Sequence, residues 1–161
     1  MKNLNTLNPD SKLWIYQSSR ELTDKEVADL SNGLQQFCLQ WTAHNNQLKA
    51  DFDIRYNRFI VLVVDESHNT ASGCSIDKSV HFLANAGKQY QVDFFNKLQM
   101  HYWQNETIQT IPMAGIKGAF ANGTINEQTV FINTHLTTLT DYATAFELPL
   151  HKHWLGKRVL G

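Results

Sequence analysis

One stretch restricts this chain more than any other: the six consecutive apolar residues Phe59-Ile60-Val61-Leu62-Val63-Val64. Side chains of a strand alternate between two faces, so an unbroken apolar run has no face to offer to water. Such a segment must be covered on both sides, which places it in the middle of a sheet. The residues before it behave differently. From Ala50 to Tyr56 the chain alternates, with Ala50, Phe52, Ile54 and Tyr56 on one face and Asp51, Asp53 and Arg55 on the other. That pattern predicts a half-buried strand with its charged face in water. A short turn around Asn57 joins the two segments as a hairpin.

Two long helices flank this hairpin. The first reads from Leu22 to His44, with Thr23 placed to cap it and Glu26 three residues on, at the capping-box spacing. Val27, Leu30, Leu34, Phe37, Cys38 and Trp41 recur at steps of three and four and form its apolar stripe. The second reads from Ser75 to Tyr90, with Ile76, Val80, Leu83 and Gly87 turned inward. A strand is expected from Lys12 to Ser18, and a second hairpin from Leu98 to Pro112 that turns at Gln104 to Glu106. A short helix after Pro112, a strand from Gln128 to His135, a short helix from Thr138 to Phe146 and an irregular tail complete the chain. Hairpins outnumber crossovers, so the expected class is α+β: a mostly antiparallel sheet packed with two long helices and one or two short ones. A mixed sheet is the alternative, because the long helices connect strands.

No Pro/Gly/Ser-rich linker and no internal repeat divides the 161 residues, so a single globular domain over 1–161 is expected. At this length one core buries roughly 68–70% of the unfolded chain's surface, so neither a metal nor a disulfide is needed for stability. The apolar fraction of 42%, the charged fraction of 18% and the net charge of -1 are those of an ordinary globular protein. There is no basic excess of the kind that grips nucleic acid. Cys38 and Cys74 are too few for a disulfide framework, although one bridge between them is open. The N-terminus lacks an apolar signal core, and no apolar run approaches the roughly 18 residues of a membrane span. A cytoplasmic protein with reduced thiols is expected.

The stretch richest in reactive side chains lies where the apolar strand hands over to the second helix. It holds Asp65, Glu66, His68, Ser72, Gly73, Cys74, Ser75, Asp77 and Lys78. Strand-to-helix junctions expose backbone N–H groups that the helix cannot satisfy itself. Ser75 is the expected N-cap, with Asp77 in the first turn favoured by the helix dipole and Lys78 placed against it. Gly73 suggests an unusual backbone angle or a close approach. His44, at the end of the first helix, is a candidate for the mouth of the same site. Three readings are open. Cys74 is a nucleophile with His68 or His44 as base, Asp65 as orienter and the amides of Gly73 to Ser75 as oxyanion hole, although Asp77 disfavours the thiolate. Alternatively, the amides, hydroxyls and Lys78 bind a small anion. In the third reading the turn only caps the helix and Cys74 is buried as a small hydrophobe. No His, Cys, Asp or Glu group has a strong metal-ligand spacing, and "HKH" at His151 to His153 reads as solvated surface. No metal and no cofactor are expected.

The strings "WIYQSSRELTDKE", "QFCLQWTAH", "RYNRFIVLVVDES", "ASGCSIDKSVHF" and "GTINEQTVFIN" together resemble a family of small bacterial proteins of similar length, often labelled "ABC transporter ATPase". The resemblance runs through most of the chain and implies no catalytic residues. The label itself requires a Walker A lysine. Gly87-Lys88 is followed by Gln89 and lacks the earlier glycine, and the glycines near Lys117 and Lys157 fail likewise. Asp65 and Glu66 after apolar residues are only superficially like a Walker B strand. ATP hydrolysis by this chain is therefore not expected. The function expected is a small-ligand (anion) or protein-interaction module with its site at Asp65 to Lys78. The alternatives are Cys74-dependent acyl transfer or redox chemistry, and a purely structural or partner-binding role.

Overall fold

The central position demanded by the apolar run is met by β5 (Phe59–Asp65), which lies between β1 (Lys12–Gln17) and β4 (Lys49–Arg55) in a three-stranded antiparallel sheet. A computed structural model describes residues 1–161, and every strand pair in it is antiparallel. The fold is α+β. Packing divides the chain into two compact units: Met1–Phe95 with Leu136–Tyr142, and Asn96–His135 with Ala143–Gly161.

In the first unit all seven residues of β5 are buried. Ile60, Leu62 and Val64, with Phe52 of β4, form a core with Leu30, Leu34 and Cys38 of α1 (Asp24–Gln40) and Leu83 and Ala86 of α2 (Gly73–Tyr90). Phe59, Val61 and Val63 point the other way and are equally buried. They share that face with Arg55, Asp53 and Asp51 through the β4–β5 register.

The charged face of β4 therefore does not lie in water, contrary to its alternation. Residues 1–10 and Leu136–Tyr142 cover it. The Lys2 N–H donates to Asp53 Oδ2 at 3.1 Å, and the Tyr142 hydroxyl donates to the same oxygen at 2.7 Å. The two covering segments are tied to each other by Thr140 N–H to the Pro9 carbonyl and Leu139 N–H to the Ser11 carbonyl. Asp53 is only 5% exposed and is tolerated there because both bonds are made.

The capping box of α1 forms as its spacing requires: Glu26 N–H donates to Thr23 Oγ1, and Thr23 N–H to Glu26 Oε1. The helix ends at Gln40, four residues before the expected His44. Trp41 turns extended, and the chain enters a minimal hairpin of β2 (Thr42–Ala43) and β3 (Asn46–Gln47). Its turn residues, His44 and Asn45, both have positive φ, as do Tyr56-Asn57 and Asn105-Glu106 in the other hairpins. That geometry matches the strand twist, and asparagine, present in each pair, tolerates it better than most residues.

α2 begins two residues before Ser75, at Gly73. Its buried residues are Ser75, Ser79, Leu83, Ala86 and Gly87, whereas Val80 is exposed. The inward face is thus rotated from the predicted one. Two serines can be buried because each hydroxyl is satisfied within its own turn, Ser75 Oγ on the Ser72 carbonyl at 2.7 Å and Ser79 Oγ on the Ile76 carbonyl at 2.6 Å.

The second unit is built on a four-stranded sheet in the order β7 (Thr107–Pro112), β6 (Gln99–Gln104), β8 (Val130–Ile132), β9 (Glu147–Pro149). Met100, Tyr102 and Phe131 pack with Ile116 and Ala119 of α3 (Ile116–Ala121) and with Leu150 and Leu155. The boundary between the units falls inside α4 (Leu139–Ala145). The tail expected to be irregular forms β9, a 3-10 turn and α5 (Gly156–Val159), because Leu150 and Leu155 are fully buried. His151 is exposed, but His153 is buried. Its Nε2 lies 3.2 Å from the Ile132 carbonyl, and its Nδ1 accepts the Leu155 N–H.

Two predictions follow from this packing. A Cβ at Gly87 would sit 2.7 Å from the Val92 carbonyl oxygen, whereas a Cβ at Gly118 in α3 meets nothing within 4 Å. Gly87→Ala is expected to destabilise by about 1–3 kcal/mol through overpacking. Gly118→Ala should stabilise by about 0.4–1 kcal/mol through the unfolded state. Chemical denaturation of the two variants checks the opposite signs. Burial holds the His153 imidazole down to about 4, against the pull of the Ile132 carbonyl, with His135 lowering it further. The unfolded chain takes up this proton near pH 6.5 and the folded chain only near 4, so stability is lost as pH falls through that window. The loss amounts to roughly 3 kcal/mol at about 1.4 kcal/mol per pH unit. His153→Gln should flatten the pH–stability curve between those limits.

Candidate functional site

The loop from Glu66 to Ala71 and the first turns of α2 hold nine of the ten residues singled out by sequence, or border on them. Asp65 closes β5 and is 3% exposed. Its Oδ1 accepts the N–H and the hydroxyl of Ser67; its Oδ2 accepts the Asn8 N–H at 3.0 Å and pairs with Lys49 Nζ at 3.3 Å. The Ser67 hydrogen bonds, assisted by Asn8 and Lys49 and opposed by burial, hold this carboxyl well below the usual carboxylate range. It orients no imidazole. Glu66 is also committed: Oε2 accepts the Ala71 N–H at 2.9 Å, and Oε1 pairs with Lys12 Nζ at 3.1 Å.

Ser72, not Ser75, is the N-cap. Ser75 N–H donates to Ser72 Oγ and Ser72 N–H donates to Ser75 Oγ, a capping box with serine in the position usually taken by glutamate. Gly73 has neither a positive φ nor a neighbour within 4 Å of a Cβ, so no close approach explains it. Asp77 falls in the second turn rather than the first, because the helix starts earlier than expected. Both cysteines are free thiols, and Cys74 is exposed at the second position of α2 rather than buried among hydrocarbon.

Sequence reasoning missed the device that assembles this corner. The β2–β3 hairpin packs on the start of α2. Trp41 Nε1 donates to the Ser75 carbonyl at 2.8 Å, Lys78 Nζ donates to Thr42 Oγ1 at 3.3 Å, and Asn69 Nδ2 donates to the Gln47 carbonyl at 3.0 Å. These bonds bring the hairpin bearing His44 to the first turns of α2 and the loop bearing His68. The only signals for it were the "HNN" turn after Trp41 and the indole N–H, a buried donor that needs an acceptor. His44, His68, Cys74, Asp77 and Lys78 are all exposed. No three His, Cys, Asp or Glu side chains are grouped to hold a metal ion.

A shallow depression of about 280 Å³ lies at the other end of α2, lined by Ala84, Lys88, Val92, Asp93 and Phe95 among others. Its helix residues Ala84 to Lys88 follow Cys74 by 10 to 14 positions, so this hollow lies about 15–21 Å along the helix from the Cys74 corner. No helix is long and apolar enough to cross a membrane. No known protein family matches the chain, and no curated protein or solved structure is significantly similar to it.

The two thiols differ in a measurable way. Burial pushes the Cys38 thiol up to about 12, with Asp51 adding to the shift and Lys2 opposing it. A disulfide reagent at neutral pH should therefore modify one thiol in the folded protein and the second only in denaturant. Cys74→Ser should abolish the fast phase.

Proposed function

We propose that the chain binds a small oxyanion, a phosphate or carboxylate group, at the start of α2 beside the β2–β3 hairpin. The observation that carries this reading is the way the nearby charges are used. Asp65 and Glu66 are neutralised by Lys49, Lys12 and backbone N–H groups, while Lys78 and the helix N-terminus face solvent. A helix N-terminus carries about half a positive charge, and its first N–H groups favour an anion. Thr42, on the hairpin that carries His44, borders the same turn through its bond to Lys78. Asp77 is the exposed carboxylate on these turns and opposes the anion, and the Ser75 amide is taken by the Ser72 hydroxyl, so binding rests on Lys78, whose ammonium has donors to spare beyond Thr42, and on the Gly73 and Cys74 amides. The resemblance to small bacterial proteins supplies no residue roles and adds nothing to this reading.

Cys74 keeps a second reading alive through one observation: the side chain is exposed at the helix N-terminus. Reaction of Cys74 with a thiol reagent at many times the rate of a small-molecule thiol would move the balance to this reading.

Thermal melts in phosphate, sulfate and acetate, each against chloride at matched ionic strength, test the anion reading. At ten times Kd an anion stabilises the folded state by about 1.4 kcal/mol. That amounts to about 3–6 °C for a chain of this size. Sulfate and phosphate also raise Tm without binding, by exclusion from protein surfaces. The deciding comparison is Lys78→Ala: it should lose the saturable part of the shift. An equal shift in both proteins rejects the site.

A further inference from the structure

We propose that Asp65 couples residues 1–10 to the loop in front of α2, so that the order of the loop depends on the N-terminal segment being docked. The two oxygens of one carboxylate do different work. Oδ2 takes the Asn8 N–H at 3.0 Å and shares that oxygen with Lys49 Nζ at 3.3 Å, and Oδ1 takes the N–H and hydroxyl of Ser67. Asp65 ends the most deeply buried strand and is 3% exposed, so its carboxylate has little freedom to turn toward one partner without losing the other. A buried carboxylate left partly unpaired is costly, and the two sets of bonds therefore support each other. A parallel tie runs alongside: Lys12 Nζ holds Glu66 Oε1, and Glu66 Oε2 holds the Ala71 N–H at the far end of the same loop.

The N-terminal segment is also held by Leu4 and Leu7, both buried, by Lys2 on Asp51 and Asp53, and by the Pro9 carbonyl, which accepts the Thr140 N–H and hydroxyl. Lifting the segment withdraws Asn8 from Asp65 and loosens the grip on Ser67. Asp65 thus acts as a positioning residue, not a catalytic one. The inference goes beyond anion binding and does not depend on it.

Amide exchange by NMR on the full chain tests the coupling, with the β5 amides as the internal report of global unfolding. Leu4→Ala removes a buried anchor of the segment and leaves Asp65 and every loop residue unsubstituted. The Ser67 and Ala71 amides should then exchange at least about five-fold faster relative to β5, the lower end of typical coupling between sites. Ser67→Ala, a change on an exposed loop residue, is the reciprocal arm. Coupling is symmetric, so it should speed Asn8 exchange by a similar factor. Unchanged Asn8 exchange in Ser67→Ala, or a loosened segment with an unchanged loop in Leu4→Ala, overturns the proposal. Should Leu4→Ala not fold, the Ser67→Ala arm decides alone.

Discussion

Everything in the first unit answers to one constraint, that β5 is apolar on both faces. Each of its six apolar side chains contributes about 1.5–3 kcal/mol when fully buried. Together that is roughly 9–18 kcal/mol, as large as the whole net stability of a typical domain at about 5–15 kcal/mol. Neither face can be left open. The helices α1 and α2 cover Ile60, Leu62 and Val64. Residues 1–10, outside any helix or strand, and Leu136–Tyr142, which runs into the start of α4, cover the opposite row, and chain of the first kind brings backbone N–H groups that need acceptors. Asp53 and Asp65 supply them. The charges on β4 that look like a solvent face are the anchors of its cover.

The same constraint changes the meaning of the acidic pair after β5. Asp65 and Glu66 look, from their position at a strand end, like the working carboxylates of a site. Both are consumed in holding neighbouring backbone and lysines. The result is an α2 N-terminus with little carboxylate competition from the loop before it, which is the electrostatic basis for reading the corner as an anion site rather than as an acid–base centre. Trp41 completes the arrangement: its indole N–H, buried at the end of α1, finds the Ser75 carbonyl and draws the β2–β3 hairpin onto α2.

Legibility followed how local the deciding interaction was. The Thr23–Glu26 capping box and the stripe through Leu30, Leu34, Cys38 and Trp41 were readable because both partners lie within one or two turns. The start of α2 was misplaced by two residues because a serine reciprocates the cap at Ser72, and the spacing rule looks for glutamate or glutamine. Ser79 was passed over for Val80 as an inward residue because periodicity weighs apolarity and cannot see a hydroxyl bonded within its own turn. The tail after Leu148 carried no sustained period, yet Leu150 and Leu155 order it by entering the core of the second unit.

Sequence by itself determined the class of fold, the central position of Phe59 to Val64, the two long helices and the first helix cap, since each depends on neighbours along the chain or on the polarity of a single run. Tertiary structure alone decided that Asp53 is covered, that Asp65 is a structural acceptor, that Cys74 is open to solvent while Cys38 is not, and that the β2–β3 hairpin is bonded to α2. Those outcomes rest on bonds between residues tens of positions apart, such as Asn8 with Asp65 and Trp41 with Ser75. Local pattern does not encode such pairings, because they exist only once the strand has been enclosed.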